Sequence, residues 1–159
     1  MPVAISAVVL TVTMLALAGP SSAIAQNATG ATSSAQTACS LMTPQEIGGI
    51  TGTRIRDGEP QEVTEGTECR FRSSDGNWVH VALGPIDAKT FARYRGLLGA
   101  QAETQAGVGD EAYFWGNVRI HVRVGTNALT LGIARNDQGN ATTKAQVLAL
   151  AKLGAPRLR

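Results

Sequence analysis

The sequence predicts an α+β domain in which an antiparallel sheet carries helices packed on one face, in the order αβββαβββα. Segments that alternate between apolar and polar residues, which is typical of half-buried strands, come in two groups of three. Segments with apolar residues at helical spacing precede, separate and follow these groups. The length of 159 residues, with 43% hydrophobic and 16% charged residues, suits a single globular domain, which we place at 39–155.

Two N-terminal segments are predicted to lie outside this domain. Residues 3–18 are nearly all apolar, a Gly-Pro pair follows, and the small-x-small pattern at 23–25 marks a cleavage site, so we interpret 1–25 as a signal peptide. An uncleaved anchor or a misassigned start codon is the alternative, because no Lys or Arg precedes the apolar run. The polar and small residues at 26–38 are typical of a flexible linker. These features predict a bacterial periplasmic or secreted protein with no stable membrane insertion after cleavage.

Cys39 and Cys69 are the only two cysteines of the chain and are predicted to form a disulfide. Export places them in an oxidising compartment, and an even count leaves no free thiol. A metal or redox pair is the alternative, but no CxxC spacing and no nearby His accompanies either residue. Closing a loop of about 30 residues should stabilise the fold by roughly 3 to 4 kcal/mol.

Capping signals set the predicted helices. The first helix begins after Thr43, which forms a capping box with Glu46, and ends at the Gly-Gly pair at 48–49. The second helix runs over 87–98 and precedes a glycine. The third spans 141–153 and stops at a glycine that is followed by a proline.

The strands and their registers follow from alternation and turns. The predicted strands are 53–56, 67–73, 78–83, 112–115, 118–124 and 128–134. In the first hairpin, a three-residue loop with Gly76 left-handed pairs Phe71 with Val79 and Cys69 with Val81. A two-residue turn would instead place charged and apolar side chains on the same face, so we choose the first register.

The second hairpin is predicted to turn around 126–127. Three apolar pairs are expected on its core face: Val124 with Leu129, Val122 with Leu131, and Ile120 with Ile133. Its other face carries long polar side chains opposite small residues, which leave room above the sheet. In the preceding strand, either Phe114 or the pair Tyr113 and Trp115 could point inward.

The same alternation sends basic side chains to the second face of the sheet, where Arg54 and Arg56 also lie. The candidate ligand-binding residues are Arg70, Arg72, Trp78, His80, Arg119, His121 and Arg123. Guanidinium groups bind carboxylate and phosphate in a bidentate manner, so we expect an anionic ligand or an acidic protein partner. The alternative is an ordinary solvated face whose charge is neutralised by the acidic residues of 57–68. A net charge of +2 is too small to indicate nucleic-acid binding.

Catalytic and metal chemistry find little support. His80 and His121 are the only histidines, and neither lies near a plausible nucleophile in sequence. The function predicted is therefore non-catalytic binding, with a small envelope hydrolase using His80 or His121, or a structural accessory subunit of an envelope complex, as alternatives. Two scattered histidines do not supply the three or four ligands of a zinc site, and the glycine-containing segment 107–111 is too short for a calcium loop. We interpret that segment as a tight turn and expect no cofactor.

Three short motifs carry a family resemblance. They are CSLMTPQEI at 39–47, CRF at 69–71 and GVGDEAY at 107–113. With these motifs the chain resembles small exported bacterial proteins and lipoproteins of unknown function, the DUF3558-like group. The resemblance implies an envelope location and an α+β fold, and it brings no established chemistry. The chain departs from the lipoprotein members because no cysteine follows the apolar run directly.

Overall fold

A computed structural model describes residues 37–134 and 141–159 of the chain. The predicted signal peptide, and the predicted linker up to residue 36, lie outside the described residues, so cleavage after Ala25 stays a prediction. The described part forms a mixed α+β domain, which confirms the predicted class and the approximate order of helices and strands. Within it, no helix is long and apolar enough to cross a membrane.

The sheet has seven antiparallel strands in the order β1-β2-β3-β7-β6-β5-β4. The strands are β1 (Ile55–Gln61), β2 (Thr67–Ser73), β3 (Trp78–Pro85), β4 (Ala102–Thr104), β5 (Glu111–Trp115), β6 (Arg119–Val124) and β7 (Asn127–Ala134). The helices are α1 (Pro44–Thr51), α2 (Ala88–Leu98) and α3 (Ala141–Gly154), with 3₁₀ turns at Ala38–Ser40, Gly99–Gln101 and Ala155–Leu158. The edge strand β4 is missing from the predicted order because three residues are too few to show alternation.

The predicted capping box starts α1. The Thr43 hydroxyl accepts a hydrogen bond from the backbone N–H of Glu46 at 3.3 Å, and the Glu46 carboxylate accepts one from the backbone N–H of Thr43 at 2.9 Å. The helix continues past the Gly-Gly pair at 48–49 and ends at Gly52, whose φ of 73° is the left-handed conformation of a helix C-cap.

The first face of the sheet carries the core. The largest buried side chains on its strands are Phe71, Val79, Val81, Phe114, Ile120, Leu129 and Leu131. Helices α1 and α3 cover them with Ile47, Val147 and Leu150, which are fully buried. Full burial of a side chain of this size stabilises the fold by about 1.5 to 3 kcal/mol, so this layer supplies most of the driving force for folding.

The predicted disulfide joins Cys39 to Cys69, with the two Cα atoms 5.0 Å apart. Cys69 faces the core opposite Val81, as predicted. Gly58 on the neighbouring strand is required here, because a Cβ at that position would lie 2.5 Å from Cys69 Sγ and 2.7 Å from Phe71 Cε1. The disulfide therefore fastens the start of the domain to the core side of β2.

The predicted register is confirmed for the first hairpin and wrong for the second. In the first, Phe71 pairs with Val79 and Gly76 is left-handed with a φ of 85°. In the second, the register is displaced by two residues, with these pairs: Val124 with Asn127, Val122 with Leu129, and Ile120 with Leu131. The cause is a two-residue turn that begins at Gly125, whose φ is 60°. Because side chains alternate with period two, this displacement keeps each residue on its predicted face.

The position of α2 corrects the prediction that all helices pack on one face. The helix connects β3, near the centre of the sheet, to β4 at its edge, and it crosses the second face on the way. Phe91 of α2 is 2% exposed, and its ring centroid lies 5.1 Å from that of Tyr113 on β5. Tyr113 in turn stacks on His121 of β6, with centroids 4.9 Å apart. The alternation could not show this packing, because the strand residues below α2 include polar ones.

The same packing explains why the inward set on β5 was ambiguous. Phe114 is 1% exposed and belongs to the core of the first face, whereas Tyr113 is 2% exposed beneath α2. Trp115 lies beside Tyr113 on the strand but is 41% exposed. Both faces of this strand are therefore buried over part of its length.

Candidate functional site

The second face of the sheet divides into two halves. The covered half consists of the parts of β5, β6 and β7 that lie beneath α2. The open half consists of β1, β2 and β3, on which Arg54, Arg56, Arg70 and Arg72 are exposed. The seven predicted ligand-binding residues are split between these halves, so they do not form one cluster.

On the open half, Glu68 contacts two of the predicted residues, His80 and Arg70. Its Oε1 accepts a hydrogen bond from His80 Nε2 at 3.0 Å and one from Arg70 Nε at 3.2 Å. Burial opposes ionisation of Glu68, but the hydrogen bonds and charges of His80 and Arg70 outweigh it, so the pKa of Glu68 is lowered. His80 Nδ1 is buried and has no hydrogen-bond partner within the part of the chain that the structure describes.

The remaining arginines of the open half are interspersed with acids. The β1–β2 register jumps between Ile55 and Gly58, so Arg56 and Asp57 together lie opposite Arg72. Glu59 lies directly opposite Arg70. The surface therefore carries both signs of charge, which favours a solvated face over a concentrated anion site.

Arg123 occupies a structural network at the end of the covered half. Its Nε and Nη2 donate to Glu111 Oε1 at 3.2 and 2.9 Å, and its Nη1 donates to Asp110 Oδ2 at 3.3 Å and to the carbonyl of Gly125 at 2.8 Å. Asp110 also accepts the backbone N–H of Gly125 at 2.7 Å. Arg123 is thus held by two carboxylates and ties the tight turn at 107–110 to the β6–β7 hairpin.

Two predicted arginines stack on tryptophans in the same manner. Arg72 Cζ lies 5.5 Å from the ring centroid of Trp78 on the open half, and Arg119 Cζ lies 5.2 Å from that of Trp115 at the margin of the covered half. Neither guanidinium makes an ion pair with a residue in 37–134 or 141–159. These two positions therefore remain able to bind an anion.

A groove of about 430 Å³ lies between α2 and the covered half. Its lining residues are Ile86, Phe91, Tyr94, Leu97, Leu98, Tyr113, Trp115, His121, Ala128 and Thr130. The wall is aromatic and aliphatic apart from one imidazole and a few hydroxyl groups. Small-molecule sites typically have volumes of about 300 to 1,000 Å³ and this mainly apolar character.

His121 is the only one of the seven predicted residues that lines the groove. Its Nδ1 lies 3.0 Å from the Thr130 hydroxyl, and its ring stacks on Tyr113. Burial, together with the charges of Arg119 and His80, lowers the pKa of His121 to about 4. The imidazole is therefore neutral near pH 7, where it can exchange a hydrogen bond with a ligand but is a weak base.

The mouth of the groove exposes apolar surface. Leu97 is 78% exposed and Tyr94 is 48% exposed, both on α2. Trp115 closes the opposite side, and its indole N–H donates to Gln101 Oε1 at 3.2 Å, which fixes the orientation of the ring. An apolar rim of this kind is typical of a binding surface.

The sequence contains a weak signal for this groove. Tyr94 and Leu98 recur at helical spacing with Phe91 on α2, and strand β7 presents the small residues Ala128 and Thr130 on the second face. Only the crossing of α2 over that face brings the two sets together. That crossing depends on the strand order, which local periodicity does not contain.

Comparisons of the chain with family models, curated proteins and solved structures found no match. The resemblance to DUF3558-like proteins therefore stays a prediction. No group of three or more potential metal ligands occurs among the residues that the structure describes.

Proposed function

We propose that the chain is a non-catalytic binding domain of the bacterial periplasm or exterior, and that it holds a small, mainly apolar ligand in the groove between α2 and the covered half. The single observation that carries this proposal is the groove itself, about 430 Å³ in volume and lined by aromatic and aliphatic side chains. The Cys39–Cys69 disulfide supports the location, because such bonds persist in oxidising compartments.

The energetics favour an apolar occupant. Leu97 and Tyr94 on α2 and Trp115 on β5 expose large apolar surfaces, although polar residues would be better solvated there. Covering such surface is worth about 25 cal/mol per Å², and the aromatic rings provide additional stacking energy for a planar ligand. The pair formed by His121 and Thr130 supplies a polar contact that would orient the ligand without demanding a charge.

The predicted hydrolase alternative has one observation in its favour, the distance of 3.0 Å between His121 Nδ1 and the Thr130 hydroxyl. A nucleophile needs a base that is itself oriented by a third group. The pKa of His121 is lowered to about 4 by burial and by neighbouring positive charge, which makes it a poor base. Hydrolysis of a naphthyl ester that is lost in Thr130→Val would support the hydrolase instead of the binding domain.

The proposal is tested with an uncharged fluorophore, N-phenylnaphthylamine, and two alanine-to-phenylalanine variants. Ala128 lines the groove, whereas Ala134 lies on the same face of the same strand opposite Trp78 and is exposed. We expect the fluorophore to bind the parent chain, and Ala128→Phe to weaken binding by about tenfold or more, which corresponds to about 1.4 kcal/mol of lost contact energy. Ala134→Phe is the matched control and should leave binding unchanged.

The fluorescence of the two tryptophans of the chain can show where the ligand binds. Trp115 lines the groove and Trp78 does not, so in Trp78→Phe the ligand should still quench the remaining fluorescence. Binding that survives Ala128→Phe unchanged, or that quenches only Trp78, would place the ligand outside the groove and contradict the proposal.

A further inference from the structure

Arg119 lies beside the groove, and its guanidinium makes no ion pair with any residue that the structure describes. It precedes His121 on the same face of β6, and its guanidinium lies over the ring of Trp115, which forms one wall of the groove. The side chain passes across Gly132, where a Cβ would lie 3.6 Å from Arg119 Nε. The charge is thus held at the margin of the apolar wall.

The acids that form ion pairs in the described part of the chain bind cations other than Arg119. Asp110 and Glu111 bind Arg123, and Glu103 binds Lys144 at 2.6 Å. Glu68 is shared by His80 and Arg70. Among residues 37–134 and 141–159, none is close enough to form a salt bridge with Arg119.

A second cation adds to the positive potential. Arg95, in the last turn of α2, also makes no ion pair within the described ranges. Burial raises the pKa of Tyr113, and the charge of Arg95 acts in the opposite direction. Burial lowers the pKa of His121, and the charge of Arg119 lowers it further. Both residues of the groove floor therefore lie in the field of a guanidinium.

We propose that the ligand of the groove is a small apolar carboxylic acid, with its apolar body against the aromatic wall and its carboxylate on the guanidinium of Arg119. This inference rests on the proposed function and adds the chemical class of the ligand. A guanidinium at the margin of a low-dielectric wall binds a carboxylate through two charge-assisted hydrogen bonds, and stacking on Trp115 holds its plane in place. A neutral ligand would leave this cation unpaired.

The test compares naphthylacetate with naphthylethanol, which has the same ring system and no charge. Calorimetric titration of the whole chain should give an affinity about tenfold higher for the acid, the effect expected of one half-exposed charge-assisted contact. Arg119→Gln should reduce the affinity for the acid to that for the alcohol. Arg119→Lys keeps the charge and should retain part of the preference, and added salt should weaken binding of the acid alone.

Arg72→Gln is the matched control, because Arg72 stacks on Trp78 as Arg119 stacks on Trp115. It should leave both affinities unchanged. Binding of naphthylethanol by Arg119→Gln also shows that this variant is folded, so loss of the preference cannot come from unfolding.

The outcomes separate this inference from the proposed function. Equal affinity of the parent chain for acid and alcohol, or a preference that survives Arg119→Gln, overturns the inference and leaves the groove a site for neutral ligands. Failure of both compounds to bind overturns the proposed function as well. A dimer in sedimentation that is dissociated by Leu97→Glu would assign the groove to a second copy of the chain and would also overturn the inference.

Discussion

The covered and open halves of the second face are built from one sheet with one alternation, yet they offer different chemistry. Each half contains a histidine, and each contains an arginine that stacks on a tryptophan. Beneath α2, His121 is half-buried, its ring stacks on Tyr113, and its pKa is lowered to about 4, whereas His80 on the open half is paired with Glu68 at 3.0 Å. The route of one helix across the sheet, and not the pattern of charges, decides which half can hold a small molecule.

The two halves are also fastened by different means. The covered half is held from above by Phe91, whose ring packs on Tyr113. The open half is held from below, where the Cys39–Cys69 disulfide anchors β2 to the start of the domain. Substitutions that remove one of these two interactions should therefore leave the other half functional.

The largest effect is expected from releasing α2. Phe91→Ala removes a ring that is 2% exposed and leaves a cavity above Tyr113, so the free energy of unfolding should fall by about 3 to 5 kcal/mol. Urea denaturation measures the loss, and binding of N-phenylnaphthylamine should be lost with it. Leu97→Ala is the control on the same helix, because Leu97 is 78% exposed and its truncation should cost less than about 0.5 kcal/mol. Equal effects of the two substitutions would mean that α2 is not held through Phe91.

The second-largest effect is expected from removing the disulfide that anchors the open half. Replacing both cysteines, Cys39→Ala with Cys69→Ala, opens a loop with a sequence separation of 30 residues. The chain-entropy cost of that loop predicts a loss of about 3 to 4 kcal/mol in the free energy of unfolding. Under conditions where the variant is folded, the groove should still bind the uncharged fluorophore, since its lining contains neither cysteine. Loss of binding by the folded variant would show that the two halves are not independent.

The pH dependence of the free energy of unfolding should reflect the lowered pKa of His121 in the covered half. The pKa of His121 is about 4 in the folded state, against about 6.5 for an unperturbed histidine. Between these values the unfolded chain binds a proton that the folded chain does not, so the free energy of unfolding falls as the pH drops from about 6.5 to about 4. The whole shift corresponds to about 3 kcal/mol.

The control for this measurement is His121→Phe, which should flatten the dependence in that window. Glu46 and Glu68 have lowered pKa values, so their contribution to stability is lost only below about pH 4.5 and does not overlap most of the window. An unchanged slope in His121→Phe would mean that the ring is accessible to water in the folded state.

Much of the fold follows from local signals. The capping box at Thr43 and the register set by Gly76 were predictable, because each depends on residues within a few positions of one another. The Cys39–Cys69 bond was predictable from the even count of cysteines and from the export that the N-terminal segment predicts. The register of the second hairpin was not, because the turn at 125–126 was placed one residue too far along the chain.

The candidate site was less predictable, because it depends on which strands are neighbours. Strands β3 and β7 pair in the centre of the sheet, so the chain has to cross the sheet to reach β4, and the contact of Phe91 with Tyr113 shows that α2 crosses the second face. No residue pattern within the helix predicts that crossing. Likewise Arg123 matched the pattern of the exposed arginines, and only the approach of Asp110 and Glu111 shows that its charge is already used.

The smallest effect is expected on the open half, and it contrasts two arginines that alternation made equivalent. Arg72 is exposed and its one described contact is the ring of Trp78, so Arg72→Ala should change the free energy of unfolding by less than about 0.5 kcal/mol. Arg123→Ala should cost about 1 to 3 kcal/mol, because it leaves Asp110 and Glu111 without their partner and loosens the β6–β7 turn. Both are measured by urea denaturation at neutral pH. If Arg72→Ala costs as much as Arg123→Ala, the open half is a packed structural surface and the contrast between the two halves fails.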